Sequence, residues 1–267
     1  MAAFLNQTTH RMLLRYHPQV GHLFVPNLRA RLTNELGGYT VRTNGWGFRS
    51  NVEYRKERGD RPRILAFGDS TMAGDNGPNE IRYSDMLAEQ LGAEVYNFGI
   101  SGTGTDQHLL AYREVAKDIE ADLVILAVQL DAIRRVQATA RESIDRTTGR
   151  RIMVPKPYFT LEGGELELHN VPVPKTRPDA PPPRDWRDQG SFVKKQLWSL
   201  AQDPRLNAVR SAVRRHAPRV QSEIYRIAGF QPYPDYLSED TPGWQLLEAI
   251  LRLPCSVKCA SCLNASA

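Results

Sequence analysis

The sequence predicts an α/β fold built on an open parallel sheet, with a β-rich arm ahead of it. After residue 62, short apolar runs ending in glycine alternate with stretches of helical periodicity, the pattern of strands joined by crossover helices. The run Leu123-Val-Ile-Leu-Ala-Val128 is continuously apolar, as in a strand covered on both faces. Residues 1–60, by contrast, lack long apolar periodicity and are dense in turn signals.

Those signals are Tyr16-His-Pro-Gln, Val25-Pro-Asn27, Leu36-Gly-Gly-Tyr39 and Thr43-Asn-Gly-Trp-Gly-Phe-Arg49, with short extended pieces such as Tyr39–Thr43 between them. The charged stretch from Arg55 to Pro62 reads as a linker closing a first unit, residues 1–62. A second unit, 63–131, begins with the buried strand Ile64–Phe67, which ends at Gly68. A helix over Ile81–Leu91 places Tyr83, Met86, Leu87 and Leu91 on one face. The strand Glu94–Phe98 ends at Gly99, and Asp106–Ile119 reads as a helix with a broad apolar stripe.

Beyond Asp131 the regularity fades. Residues 155–183 hold 8 of the 18 prolines, and within them Tyr158–Leu168 reads as a β-hairpin turning at Gly163-Gly164. Residues 191–229 read as helical and basic, with Arg205, Arg210, Arg214, Arg215, Arg219 and Arg226; a solvated helix face is preferred there to a nucleic-acid or anionic-membrane surface. Residues 132–240 are therefore taken as an insertion beside the sheet. The last unit, 241–267, opens with a helix to about Leu251 behind a proline signal, followed by a cysteine-bearing tail.

Composition excludes several classes. The 267 residues are 41% hydrophobic and 24% charged, which fits none of the collagen-like, coiled-coil or wholly disordered classes. No run approaches the roughly 18 apolar residues of a membrane span. The first ten residues lack the basic and apolar regions of a signal peptide, so the compartment is left open, with the cytoplasm as the default expectation. A net charge of +5 does not call for a nucleic-acid partner. All three cysteines, Cys255, Cys259 and Cys262, lie in the tail, so no disulfide framework spans the body.

The segment Phe67-Gly-Asp-Ser-Thr-Met-Ala-Gly74 places Ser70 just past a strand end, where the chain turns into a helix. A hydroxyl there lies beside N–H groups that have no intrahelical partner, donors suited to the oxyanion of an acyl-transfer intermediate. An ordinary helix cap is the alternative reading. A second small-residue loop, Asn97-Phe-Gly-Ile-Ser-Gly-Thr-Gly-Thr-Asp106, follows the next strand and would face the first across one crevice; a flexible connection is the alternative there. Other chemistries fit less well. No Gly-Lys-Ser/Thr triplet of a P-loop occurs, Gln107 occupies the last glycine place of a dinucleotide fingerprint, and Phe67 stands where a haloacid-dehalogenase phosphatase carries its nucleophilic aspartate.

Gly68-Asp69-Ser70 after a strand, with Asn97-x-Gly-x-x-Gly102 following, resembles the GDSL or SGNH hydrolases. Thr43-Asn-Gly-Trp-Gly-Phe-Arg-Ser50 resembles the arm of a bacterial branch of that family. The resemblance implies a three-layer α/β/α, flavodoxin-like fold and hydrolysis or transfer of acyl esters on carbohydrates or lipids. It implies no metal and no cofactor. Ser70 matches the nucleophile and one oxyanion donor, and Gly102 the second donor. Asp69 and Asp131 match supporting positions. Leu130 stands where the family has an asparagine as third donor; Gln129, one place earlier, is a weak substitute. Losing one such donor commonly costs about 3–4 kcal/mol of transition-state stabilisation.

The family's base is a histidine in a C-terminal Asp-x-x-His motif. None of His10, His17, His22, His108, His169 and His216 has an acidic residue three places before it. His108 could approach the crevice, although a helix-surface histidine is the simpler reading. An ester hydrolase scaffold of reduced or absent activity is therefore expected, with a non-catalytic acyl- or carbohydrate-binding remnant, or an interaction protein, as the alternative. The atypical tail suggests a frame change or termination near residue 252, leaving the sheet incomplete with an apolar edge prone to self-association. Cys255-x-x-x-Cys259-x-x-Cys262 has the spacing of a radical S-adenosylmethionine iron–sulfur motif, but only five residues follow it, which argues against a cluster.

Overall fold

The computed structural model describes residues 13–32, 38–75, 77–144, 151–175 and 233–253. The basic stretch 191–229, the cysteine tail, His10 and His216 lie outside the described residues.

Strand β5 (Arg63–Gly68) is the centre of a three-stranded parallel sheet. All six of its residues are buried: Ile64–Phe67 as an apolar run in a central strand, and Arg63 paired with Glu94 at 2.7 Å. β6 (Glu94–Gly99) lies on one side, in register from Arg63↔Glu94 to Gly68↔Gly99. β7 (Leu123–Leu126) lies on the other, paired from Ile64↔Leu123 to Phe67↔Leu126. Between β5 and β6 run the short helix α1 (Ser70–Ala73) and α2 (Tyr83–Leu91). α3 (Thr105–Ala111) continues into a π-turn at Tyr112–Ala116 before β7, so the single helix expected over 106–119 is underwound in its second half. The fold is thus the α/β parallel-sheet class that the sequence predicts.

Two packing expectations are corrected. The Leu123–Val128 run is not covered on both faces: β7 is an edge strand among the described residues, and Leu123, Leu126 and Val128 stay 40–49% exposed. The apolar face of α2 is also turned outward, with Tyr83, Met86 and Leu91 exposed. What α2 buries against the sheet is Ser84, whose hydroxyl accepts a hydrogen bond from Asn97 Nδ2 at 2.7 Å. A polar pair inside the sheet layer outweighs the apolar stripe in setting the rotation of the helix.

The N-terminal region forms two antiparallel hairpins, β1 (Leu14–His17) with β2 (Gly21–Phe24) and β3 (Arg29–Leu32) with β4 (Tyr39–Arg42). It is fastened to the sheet by aromatic packing. Phe48 meets Phe98 edge-on at 4.7 Å, and Tyr54 stacks on Tyr96 at 4.3 Å while donating to the Asn97 carbonyl. Arg49, fully buried, donates to the carbonyls of Gly74 and Gly77 and to Asn79 Oδ1. Burial and the neighbouring Arg82 guanidinium pull its pKa down to about 10.

After β7 come α4 (Ala132–Arg135) and two further hairpins, β8 (Ala140–Ile144) with β9 (Arg151–Pro155), and β10 (Tyr158–Glu162) with β11 (Glu165–His169). The second turns at Gly163 and Gly164, both with positive φ, where the sequence placed it. α5 (Pro242–Arg252) starts at Thr241, whose hydroxyl accepts from Trp244 N–H, and buries Leu246, Leu247 and Ile250 in the main core beside Ile133, Val136 and Phe159.

Candidate active site

The carboxyl ends of β5 and β6 deliver two loops side by side. Asp69 caps α1, its Oδ1 accepting the Thr71 N–H at 2.9 Å, which leaves Ser70, half-buried, as the first residue of the helix. Glycine is required where the loops cross: a Cβ on Gly68 would lie 2.6 Å from Met72 Cβ, and one on Gly99 2.2 Å from the Ala73 nitrogen. The Ile100 N–H donates to the Gly68 carbonyl at 3.0 Å, Asn97 Nδ2 to the Met72 carbonyl at 2.7 Å, and Ser101 Oγ to Asp75 Oδ1 at 2.8 Å. Gly102 has φ +77° with open space where a side chain would stand. Among the described residues, no protein acceptor takes the Ser70 or the Gly102 N–H.

Arg135 clamps the two loops. Its Nη1 donates to Asp69 Oδ2 at 2.7 Å and to the Thr103 carbonyl at 2.9 Å, while Nε donates to Asp131 Oδ2 at 2.7 Å. Burial lowers the Arg135 pKa, but the two carboxylates outweigh it and the net shift is upward. Asp131 therefore holds Arg135, and Arg134 on its other oxygen. Gln129 donates its amide to Thr71 Oγ1, one residue past Ser70, and Leu130 is 68% exposed.

A small cleft of about 10 Å³ lies among Asp69, Thr103, Gln129 and Arg135. Thr105 and His108 line it and also line an adjoining apolar cavity of about 50 Å³, formed by Phe67, Leu109, Val124 and Ile250. His108 Nε2 lies 2.9 Å from Thr103 Oγ1, and its Nδ1, like Thr105 Oγ1, has no partner among the described residues. Burial, with the Arg135 and Lys156 charges, lowers the His108 pKa to about 3, so the ring is neutral near pH 7. His108 is buried, not on the helix surface. Beside it, Lys156 pairs with the buried Asp106 and donates to the carbonyls of Arg135 and Ala138 at 3.0 and 3.1 Å. Burial raises the Asp106 pKa, against the opposing pull of Lys156.

The other described histidines are engaged elsewhere. His22 Nε2 meets the Ser101 carbonyl at 2.9 Å, His17 Nδ1 accepts the Gln19 and Val20 N–H groups, and His169 meets Thr160 Oγ1. None of the described histidines hydrogen-bonds Ser70. Nor do three or more His, Cys, Asp or Glu come together to hold a metal ion among the described residues. Sequence reasoning missed Arg135, Lys156 and His22. Only Arg135 carried a signal, being one helical turn beyond Asp131.

The model of the GDSL-like lipase/acylhydrolase family matches residues 66–246. No curated protein matches the chain. Solved structures similar to it include AlinE4, an SGNH-hydrolase family esterase, and a mutant of that esterase. Each is 26% identical over 29% of this chain and 44% of that chain, with a TM-score of 0.25. The chain thus spans under half the length of the solved structures it matches.

Proposed function

The chain belongs to the GDSL-like lipase/acylhydrolase family, and from that premise we propose that Ser70 is the nucleophile of an acyl-ester hydrolase. Its Oγ attacks the ester carbonyl as the hydroxyl proton passes to water, and the alkoxide of the tetrahedral intermediate accepts hydrogen bonds from the Ser70 and Gly102 N–H groups. On its collapse the ester C–O bond breaks and the leaving oxygen takes a proton from water. The alcohol then leaves, and water hydrolyses the acyl–Ser70 ester. The substrate is an acyl ester of a carbohydrate or lipid. In this reading residues 63–131 carry the site, while the described parts of the arm (1–62) and of the insertion (132–240), with the final helix, buttress it.

The observation that carries the proposal is the joining of the two loops: the β5–β6 register ends at Gly68↔Gly99, and the Ser101–Asp75 and Arg135 contacts hold the strands' following residues together. The engagement of every described histidine away from Ser70 favours a second reading, ester binding without turnover. The exposed β7 edge is proposed as a site of self-association.

Release of p-nitrophenolate from short-chain acyl esters, by wild type and by Ser70→Ala, tests the proposal. Turnover confined to wild type supports it. Equal rates remove Ser70. Calorimetric binding of acetylated oligosaccharides without p-nitrophenolate release would select the second reading.

A further inference from the structure

A second cavity lies outside the crevice of Ser70. It is a groove of about 330 Å³ between the β1–β2 hairpin, the β8–β9 hairpin and residues 173–175. That volume is within the usual range for small-molecule sites and far exceeds the 50 and 10 Å³ cavities near the sheet edge. Among the described residues its lining includes Arg15, Arg141 and Lys175, and no carboxylate. The walls are tied together: Tyr16 donates its hydroxyl to the Val173 carbonyl at 2.7 Å, and Val173 N–H donates to the Pro18 carbonyl at 2.7 Å. Lys175 Nζ stands 5.5 Å from the centre of the Tyr16 ring. Among the described residues, neither Arg15 nor Lys175 forms an ion pair. Arg15 and Lys175 both line this groove, and an anion placed between them accepts charge-assisted hydrogen bonds.

We infer that this groove binds an oxyanion, carboxylate or phosphate, carried on a ligand about the size of one or two sugar rings. Tyr16, 41% exposed, supplies an aromatic surface beside Lys175 on which such a ring can lie. The groove is also connected to the candidate active site. His22 lines it and meets the carbonyl of Ser101, the residue before Gly102. The bound anion is accordingly the remote part of the ester substrate, which makes that substrate acidic. This last step rests on the reading of Ser70 above; the binding itself does not.

Calorimetry at low salt separates the two. Digalacturonate supplies a carboxylate on a sugar, glycerol 3-phosphate supplies the phosphate of a lipid headgroup, and neutral maltose is the control. Binding of either anion, but not of maltose, is expected, with equal affinity in wild type and Ser70→Ala. Arg15→Ala and Lys175→Ala are each expected to weaken it about tenfold, as for loss of one charge-assisted contact, and added salt to weaken it further. Both residues are exposed, so the variants should keep the wild-type circular dichroism spectrum. Whichever anion binds identifies the source. Binding of neither at millimolar concentration, or binding indifferent to both substitutions, overturns the inference. Binding with these properties in a protein shown to lack Ser70-dependent turnover retains the groove and discards its link to an ester.

Discussion

Arg135→Ala is the sharpest perturbation available at the candidate site, because one guanidinium bridges groups from three segments. It leaves Asp69, whose side chain is 5% exposed, without its partner cation. Removing one member of a fully buried pair costs about 3–5 kcal/mol, whereas an exposed pair is worth about 1 kcal/mol or less. The Arg135 side chain is 29% exposed, so water partly replaces what is lost, and about 2 kcal/mol is expected. For a folded body of this size that lowers Tm by roughly 4–8 °C. Urea unfolding of wild type, Arg135→Ala, Asp69→Asn and the double variant should give a coupling energy of about 1 kcal/mol or more. Ester hydrolysis, where present, should fall further in Arg135→Ala than in Arg135→Lys, since lysine keeps the charge but cannot span Asp69, Asp131 and the Thr103 carbonyl. Additive single effects in the cycle would refute the clamp.

Other outcomes follow from the same geometry. His108 has a folded pKa of about 3 against an ordinary 6.5, so acidification protonates the unfolded chain first. Its contribution is intact above pH 6.5 and is lost as pH falls towards 3. Between pH 6.5 and 5 wild type should lose about 2 kcal/mol that His108→Gln does not, read by urea titration. Asp106 has the opposite sign: its raised folded pKa makes its contribution full below 3.8 and lost as pH rises through the folded value, so Asp106→Asn should flatten the acid end of that curve. Gly99→Ala drives a methyl into the Ala73 backbone and should yield insoluble protein, while Gly102→Ala, which meets only an unfavourable φ, should cost about 1 kcal/mol and stay soluble. Leu126→Lys on the exposed edge should shift sedimentation towards monomer if that edge drives self-association; an unchanged distribution would clear it.

The parts of the fold legible in the sequence were those set by local pattern. Short runs, Ile64–Phe67 before Gly68 and Glu94–Phe98 before Gly99, define the two adjacent strands, and the paired glycines mark the β10–β11 turn. Coverage was not legible. An apolar run such as Leu123–Val128 reads the same in a central strand and an edge strand, because the neighbour that decides it is remote in sequence. The α2 stripe misled for a similar reason, since Ser84 finds its partner in Asn97, on another strand. At the site, Ser70 and Gly102 could be named from small residues after strands. Lys156 could not: it reaches Asp106 across 50 positions, and neither residue has a local pattern that announces the other.

Arg49 has a consequence for how such a protein can diversify. Its guanidinium sits in the N-terminal region, yet the oxygens it satisfies belong to Gly74, Gly77 and Asn79, the chain just downstream of α1. Trading that region for one from a relative would strand three acceptors unless the recipient also offered an arginine at the same depth. The two segments must therefore be inherited together, and a chimera that splits them should fail at the serine helix before it fails at the graft.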